Sequence, residues 1–271
     1  MLSLLISINV ADAYVDPECQ EVADAGAPDD YDEQGQQDFL LNYFALALTL
    51  SPLHAPVPHK AGTGGVGLEL AIIPPLSCER RLVLNYSKTE DTNKAPMAPR
   101  PRISFAFPKI GDKIVPYAGL GYIPPVTVFG TRNVVVSGEA GFGVSNGDGL
   151  QWGARYHATL MKTVAEIATP FDESAEAVDD LYIGSTFGFD LMGGWRMDRM
   201  TPYAAIGFTD VSTFFYIGDD GVVGNNNDPY AGVTISAGAQ YRASEHIQLG
   251  GEFYTAPGII YTGRLRGSWI F

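Results

Sequence analysis

Acid–base and nucleophilic chemistry need a histidine, cysteine or carboxylate held against a partner, and candidates here are few: four His and two Cys. His54 and His59 lie in the proline-rich "SPLHAPVPHKAG", His157 lies inside "LQWGARYHATL", and His246 lies in the short polar stretch "SEH". Ser137, His157 and Glu139 are the set that looks most like a nucleophile, a base and an acid. Pairing about a turn near residue 147, however, sets Arg155 across from Glu139 and Ser137 across from His157, so a guanidinium already engages the acid. His54 and His59 lack a nearby carboxylate to complete a metal site. The stretch "GTGG" opens a strand, whereas a phosphate loop needs a strand before it and a helix after it. The expectation is a protein that is not an enzyme, with no metal and no cofactor.

Acidic residues are concentrated near the start. Between Tyr14 and Asp38 there are nine carboxylates (Asp16, Glu18, Glu21, Asp24, Asp29, Asp30, Asp32, Glu33, Asp38) and no base, which accounts for most of the net charge of −14. Such a segment buries little apolar surface and reads as a flexible leader. "DDYDEQG" begins like a calcium loop, but the twelfth loop position falls on Leu41, so that reading fails. Ahead of it, "MLSLLISINVADA" ends in Ala11-Asp12-Ala13, which fits a signal-peptidase site and implies export. Nucleic-acid binding is disfavoured by the acidic balance.

The elements that would position the remaining polar residues follow from alternation. In "LQWGARYHATL", Leu150, Trp152, Ala154, Tyr156, Ala158 and Leu160 share one face of a strand, while Gln151, Arg155, His157 and Thr159 share the other. Similar segments cover 134–144, 181–195, 203–216, 230–242, 247–255 and 261–271, with shorter ones at 42–50, 64–73, 81–87, 102–107 and 114–123, giving about twelve strands in all. An alternative of ten strands treats 39–50 as a helix and 74–100 as one long loop, because periodicity alone cannot assign a short apolar run.

Connections alternate in length. "GDK", "SNGDG", "MDRM" and "ASEH" are tight, whereas 88–100, 124–132, 164–180 and 217–229 are long. That asymmetry is the pattern of an outer-membrane β-barrel, with the short turns in the periplasm. Aromatic girdles agree: Phe107, Phe142, Trp152, Trp195, Tyr241, Trp269 and Phe271 lie on the apolar face near the short turns, and Tyr86, Tyr122 and Tyr261 near the opposite rim. Closure is required because lipid offers no partner to an unpaired strand edge.

The chain ends in Phe271, with Trp269 and Leu265 at even offsets before it. This resembles the C-terminal targeting signal of bacterial outer-membrane barrels as a general class, over roughly residues 40 to 271. The resemblance implies insertion into the outer membrane by the barrel-assembly machinery.

The reading is therefore a signal at 1–13, an acidic periplasmic leader at 14–38 and a transmembrane barrel at 39–271. Glu139, Arg155, His157, Asp190, Glu252, Arg264 and Arg266 face the lumen, joined by Glu69, Arg102, Gln151, Gln240, Gln248 and Tyr254, and a turn near residue 258 sets Glu252 across from Arg264. Such opposed charges either hold register as ladders or form the constriction of a narrow passive channel for small solutes. A non-conducting structural or surface-interaction barrel is the alternative, and a transporter of hydrophobic compounds, needing an apolar lumen or a lateral opening, is a third. In the twelve-strand form Cys78 shares the periplasmic rim with the leader and could bond Cys19; in the ten-strand form it lies outside and the bond is not expected.

Overall fold

The computed structural model describes residues 14–146, 149–168, 178–217, 221–224 (backbone only) and 228–271. The expected signal at 1–13 and parts of the loops after Ala165 and Ile217 lie outside them. The architecture is a closed antiparallel barrel of ten strands, the second of the two forms anticipated. In chain order these are β1 (Gly64–Ile72), β2 (Met97–Ala106), β3 (Ile114–Val128), β4 (Thr131–Ser145), β5 (Leu150–Ala165), β6 (Asp180–Trp195), β7 (Met200–Ile217), β8 (Ala231–Arg242), β9 (Ile247–Ala256) and β10 (Ile260–Ile270). Each strand pairs with the next, and β1 with β10 (Gly65↔Ile270 through Ala71↔Arg264) closes the ring.

The expected strand at 42–50 is instead the end of a helix, Glu33–Leu48. Residues 36–50 contain neither Pro nor Gly and are rich in Leu, Ala and Gln, good helix formers. Pro52, Pro56 and Pro58 then forbid continuation and leave 49–62 as an extended strap. The expected strand at 81–87 is a turn: Leu84, Asn85 and Tyr86 all have positive φ (52, 55 and 66°), so Leu82–Val83 folds back onto Lys88–Thr89. The 124–132 loop is likewise shorter than expected. β3 runs to Val128, and Phe129 and Gly130 (φ 52 and 72°) make a two-residue hairpin turn.

Helix and strap together traverse the lumen. The helix starts at the rim of the long loops, where Glu33 accepts the Asn85 amide at 3.0 Å, and the strap ends at the rim of the short turns, where β1 begins beside Phe271. The leader therefore packs on the long-loop rim, not on the short-turn rim where the sequence reading placed it. Arg81 holds it there through Asp16 (3.0 Å) and Glu18, and Cys19 is disulfide-bonded to Cys78. The expectation that a ten-strand barrel would keep these cysteines apart does not hold, because the leader precedes a segment that itself crosses the barrel.

The outer face is apolar around the ring, with Leu68, Leu120, Leu160, Leu191, Ile206, Phe253 and Leu265 all more than half exposed. All seven aromatic residues expected near the short turns are exposed on this face, as are Tyr122 and Tyr261 toward the other rim. Tyr86 is not part of a girdle: it is buried in the cap, edge-on to Tyr31 at 5.3 Å.

Candidate functional site

Midway along the lumen, alternation on six strands brings charge together. Glu69 (β1), Arg100 and Arg102 (β2), Glu139 (β4), Arg155 (β5), Asp190 (β6) and Arg264 (β10) are all buried. Arg102 reaches Glu69 at 3.0 Å and Glu139 at 2.8 Å. Arg155 reaches Glu139 at 2.6 Å and Asp190 at 2.6 Å. Arg100 and Arg264 approach Glu69 at 3.7 and 3.6 Å. A chain of ion pairs thus runs across the barrel rather than along it. Desolvated charges persist only when their remaining donors and lone pairs are also satisfied.

The plug takes up much of the remaining donor capacity, although Arg100 Nε and Arg264 Nε are buried without a hydrogen-bond partner. Arg100 donates to the Leu48 carbonyl (2.8 Å), Arg155 to that of Leu50 (2.6 Å), and Arg102 to those of Ser51 and Pro52 (3.3 Å each). Arg264 donates to Thr49 (2.5 Å) and Leu46 (3.4 Å). The last carbonyls of a helix have no partner inside it and carry partial negative charge, so four guanidiniums facing three carboxylates are completed electrostatically by the helix C-terminus. Below this floor the Leu53 amide donates to Glu252 (2.7 Å), and Gln240 accepts from Ala55 (2.9 Å) and donates to Pro58 (3.0 Å). The Pro56 carbonyl lies so close to Gly143 that a Cβ there would collide with it, so glycine at 143 makes room for the strap.

Of the lumen residues expected from sequence, Glu139, Arg155 and Asp190 form the centre of this floor. His157 lies beside it, 3.7 Å from Asp190. The β4–β5 register differs from the expectation by two residues: Glu139 stands opposite His157, Gly141 opposite Arg155 and Ser137 opposite Thr159. An even shift keeps every side chain on its face, so Arg155 still reaches Glu139 diagonally. In this register Ala154 stands opposite Phe142. Glu252 and Arg264 are opposite each other as anticipated from the turn, yet each turns to the plug. Arg266 bonds Ser104 and Ser268 and no carboxylate. Ser137 bonds Arg100 (3.0 Å) and Thr159 (3.2 Å), not His157, so these two do not form a nucleophile–base pair.

Arg100 was missed because "MAPRPR" reads as loop, although Arg100 and Arg102 share a strand parity with Ser104 and Ala106. The role of the strap had no signal in the sequence beyond its prolines.

Compared with known protein families and with curated proteins, the sequence matches none. Similar solved structures include the translocator domain of autotransporter NalP from Neisseria meningitidis (TM-score 0.46, 11% identity, covering 97% of this chain and 100% of that one). The toluene transporter TodX from P. putida gives a TM-score of 0.37 at 10% identity, over 82% of this chain and 70% of that one. The attachment invasion locus protein Ail of Yersinia pestis gives 0.32 at 11% identity, over 78% of this chain and 100% of that one. Likenesses of this size say nothing about activity.

Proposed function

We propose that this chain is an integral outer-membrane β-barrel whose own N-terminal segment keeps the lumen shut. A soluble monomer rarely exposes an apolar patch larger than a few hundred Å², whereas an apolar outer face continuous around the ring suits a lipid solvent. The strands, 9 to 18 residues long, reach the span required of about 9 to 11. Short turns, both strand termini and Phe271 then face the periplasm, where the C-terminus is read by the assembly machinery, and the disulfide-bonded cap faces outward. Outer-membrane lipid is thus the direct partner of the wall.

The observation that carries the shut state is the row of plug carbonyls from Leu46 to Pro52 held by Arg100, Arg102, Arg155 and Arg264. A narrow passive channel needs a continuous polar path, and the strap occupies that path, so small solutes pass only if it is displaced. Planar-bilayer recording of the full chain tests this. Silence from the full chain, with steady conductance after deletion of residues 14–62 or in Gly143→Val, is the expected result. Steady conductance from the full chain would overturn the plugged reading in favour of an open channel.

A further inference from the structure

The barrel wall is not complete. β2 and β3 pair only from Arg102↔Gly121 to Ala106↔Tyr117. Toward the long-loop rim, Met97–Pro101 pairs with β1 alone and Tyr122–Val128 with β4 alone. Pro99 and Pro101 on one strand, and Pro124 and Pro125 on the other, remove four backbone donors, and the β3–β4 register shifts between Ile123 and Val126. A wedge-shaped seam opens where the two strands part.

A cavity of about 270 Å³ fills this seam. Its lining reaches from Leu68, Pro101 and Val126 on the outer face to Phe44, Leu48 and Tyr182 within the lumen, so it passes through the wall. The polar residues at its edge mostly bond one another: Lys94 pairs with Asp91 at 3.1 Å, and Thr163 donates to Asn133 at 2.6 Å. The Thr92 hydroxyl is buried without a hydrogen-bond partner. Unpaired backbone is tolerated at membrane depth only where it lines a cavity or is buried in protein. An apolar cavity of roughly 150 Å³ suffices for benzene, so this one has room for a larger molecule.

We infer that the seam is a binding site for a small, neutral, largely apolar molecule that enters from the lipid through the wall and rests against Phe44 and Leu48 of the plug helix. The charged floor lies just beyond, since Leu48 also lends its carbonyl to Arg100, so an occupant sits where the plug is held. This rests on the membrane reading above and gives that barrel a ligand class.

The test uses the full chain in lipid nanodiscs with 1-fluoronaphthalene as the probe, followed by ¹⁹F NMR. Resistance of the protein to carbonate extraction from vesicles tests the membrane reading by itself; extraction would remove the lipid route and the inference with it. In inserted protein, a bound resonance that saturates at one probe per chain is expected. Ala98→Phe and Ile123→Phe, both filling the seam, should weaken binding at least tenfold, whereas Leu249→Phe on the lipid face of β9 should leave it unchanged. A signal that never saturates, or that both filling variants leave intact, overturns the site. A co-purifying phospholipid that the probe cannot displace and the filling variants abolish would make it an acyl-chain site and overturn the small-molecule reading.

Discussion

Arg155→Met is the sharpest probe of the charged floor. Arg155 bonds two carboxylates and the strap at once, at 2.6 Å to each of Glu139, Asp190 and the Leu50 carbonyl. The variant keeps similar length and apolar character in the stem. Glu139 retains Arg102 at 2.8 Å and lies 3.4 Å from His54, but Asp190 is left with only the His157 imidazole, 3.7 Å away. Breaking a buried pair from one side costs about 3 to 5 kcal/mol, because an uncompensated charge remains. For an unfolding slope of about 2 kcal/mol per molar urea, the midpoint in lipid vesicles should fall by roughly 2 M. Trp152, Trp195 and Trp269, all on the outer face, report the transition by fluorescence. Adding Asp190→Asn removes the stranded charge, so the double variant should recover at least half of the loss, whereas independent sites would show additive costs. A single variant as stable as the parent, or a double variant worse than the single, would refute the view that these charges act as one compensated network.

Three further expectations follow the same physics. Leu120→Arg places a cation on the lipid face of β3, where Leu120 is 62% exposed, and should cost about 2 to 4 kcal/mol if it lies near the bilayer midplane; an unchanged urea midpoint in vesicles would argue against lipid there. The Cys19–Cys78 bond spans 59 residues, a separation at which the chain-entropy model assigns roughly 4 kcal/mol; reduction should therefore expose the leader to limited proteolysis while leaving the barrel intact, and an equally protected leader would show that its noncovalent contacts, those of Arg81 among them, suffice to hold it. Burial alone would raise the Glu33 carboxyl, but hydrogen bonds from Tyr31, from the Leu84 and Asn85 amides and from Gln37 outweigh it and hold the group below its usual range. Its contribution is thus present above the unfolded value of about 4.3 and lost as pH falls through the lower folded value, so the hydrogen-exchange protection factors in the first helical turn, corrected for the intrinsic rate, should fall in acid, and Glu33→Gln should remove that step.

The wall could be read directly from the chain. Period-two alternation sets the face of each side chain whatever its neighbours are, so Arg155, Glu139 and Asp190 were inward and Trp152 outward before any pairing was known. Turn chemistry placed most of the hairpins, and the β4–β5 register slipped by two without moving a residue to the wrong face. The residues of 39–50 defeated the same reasoning, because a uniformly apolar run satisfies a strand or a helix equally, and only the space inside a ten-strand barrel decided for the helix. The position of the leader, and with it the side on which Cys19 meets Cys78, depended on that decision.

Alternation along the sequence determined that this protein is an antiparallel β structure with one apolar face, one charged face and aromatic girdles, since those are properties of single strands. Tertiary structure decided what fills the lumen, which carbonyls the arginines hold and where β2 and β3 part. Those depend on contacts between segments far apart in the chain, such as Arg264 with Thr49, and no local pattern carries the energy that selects them.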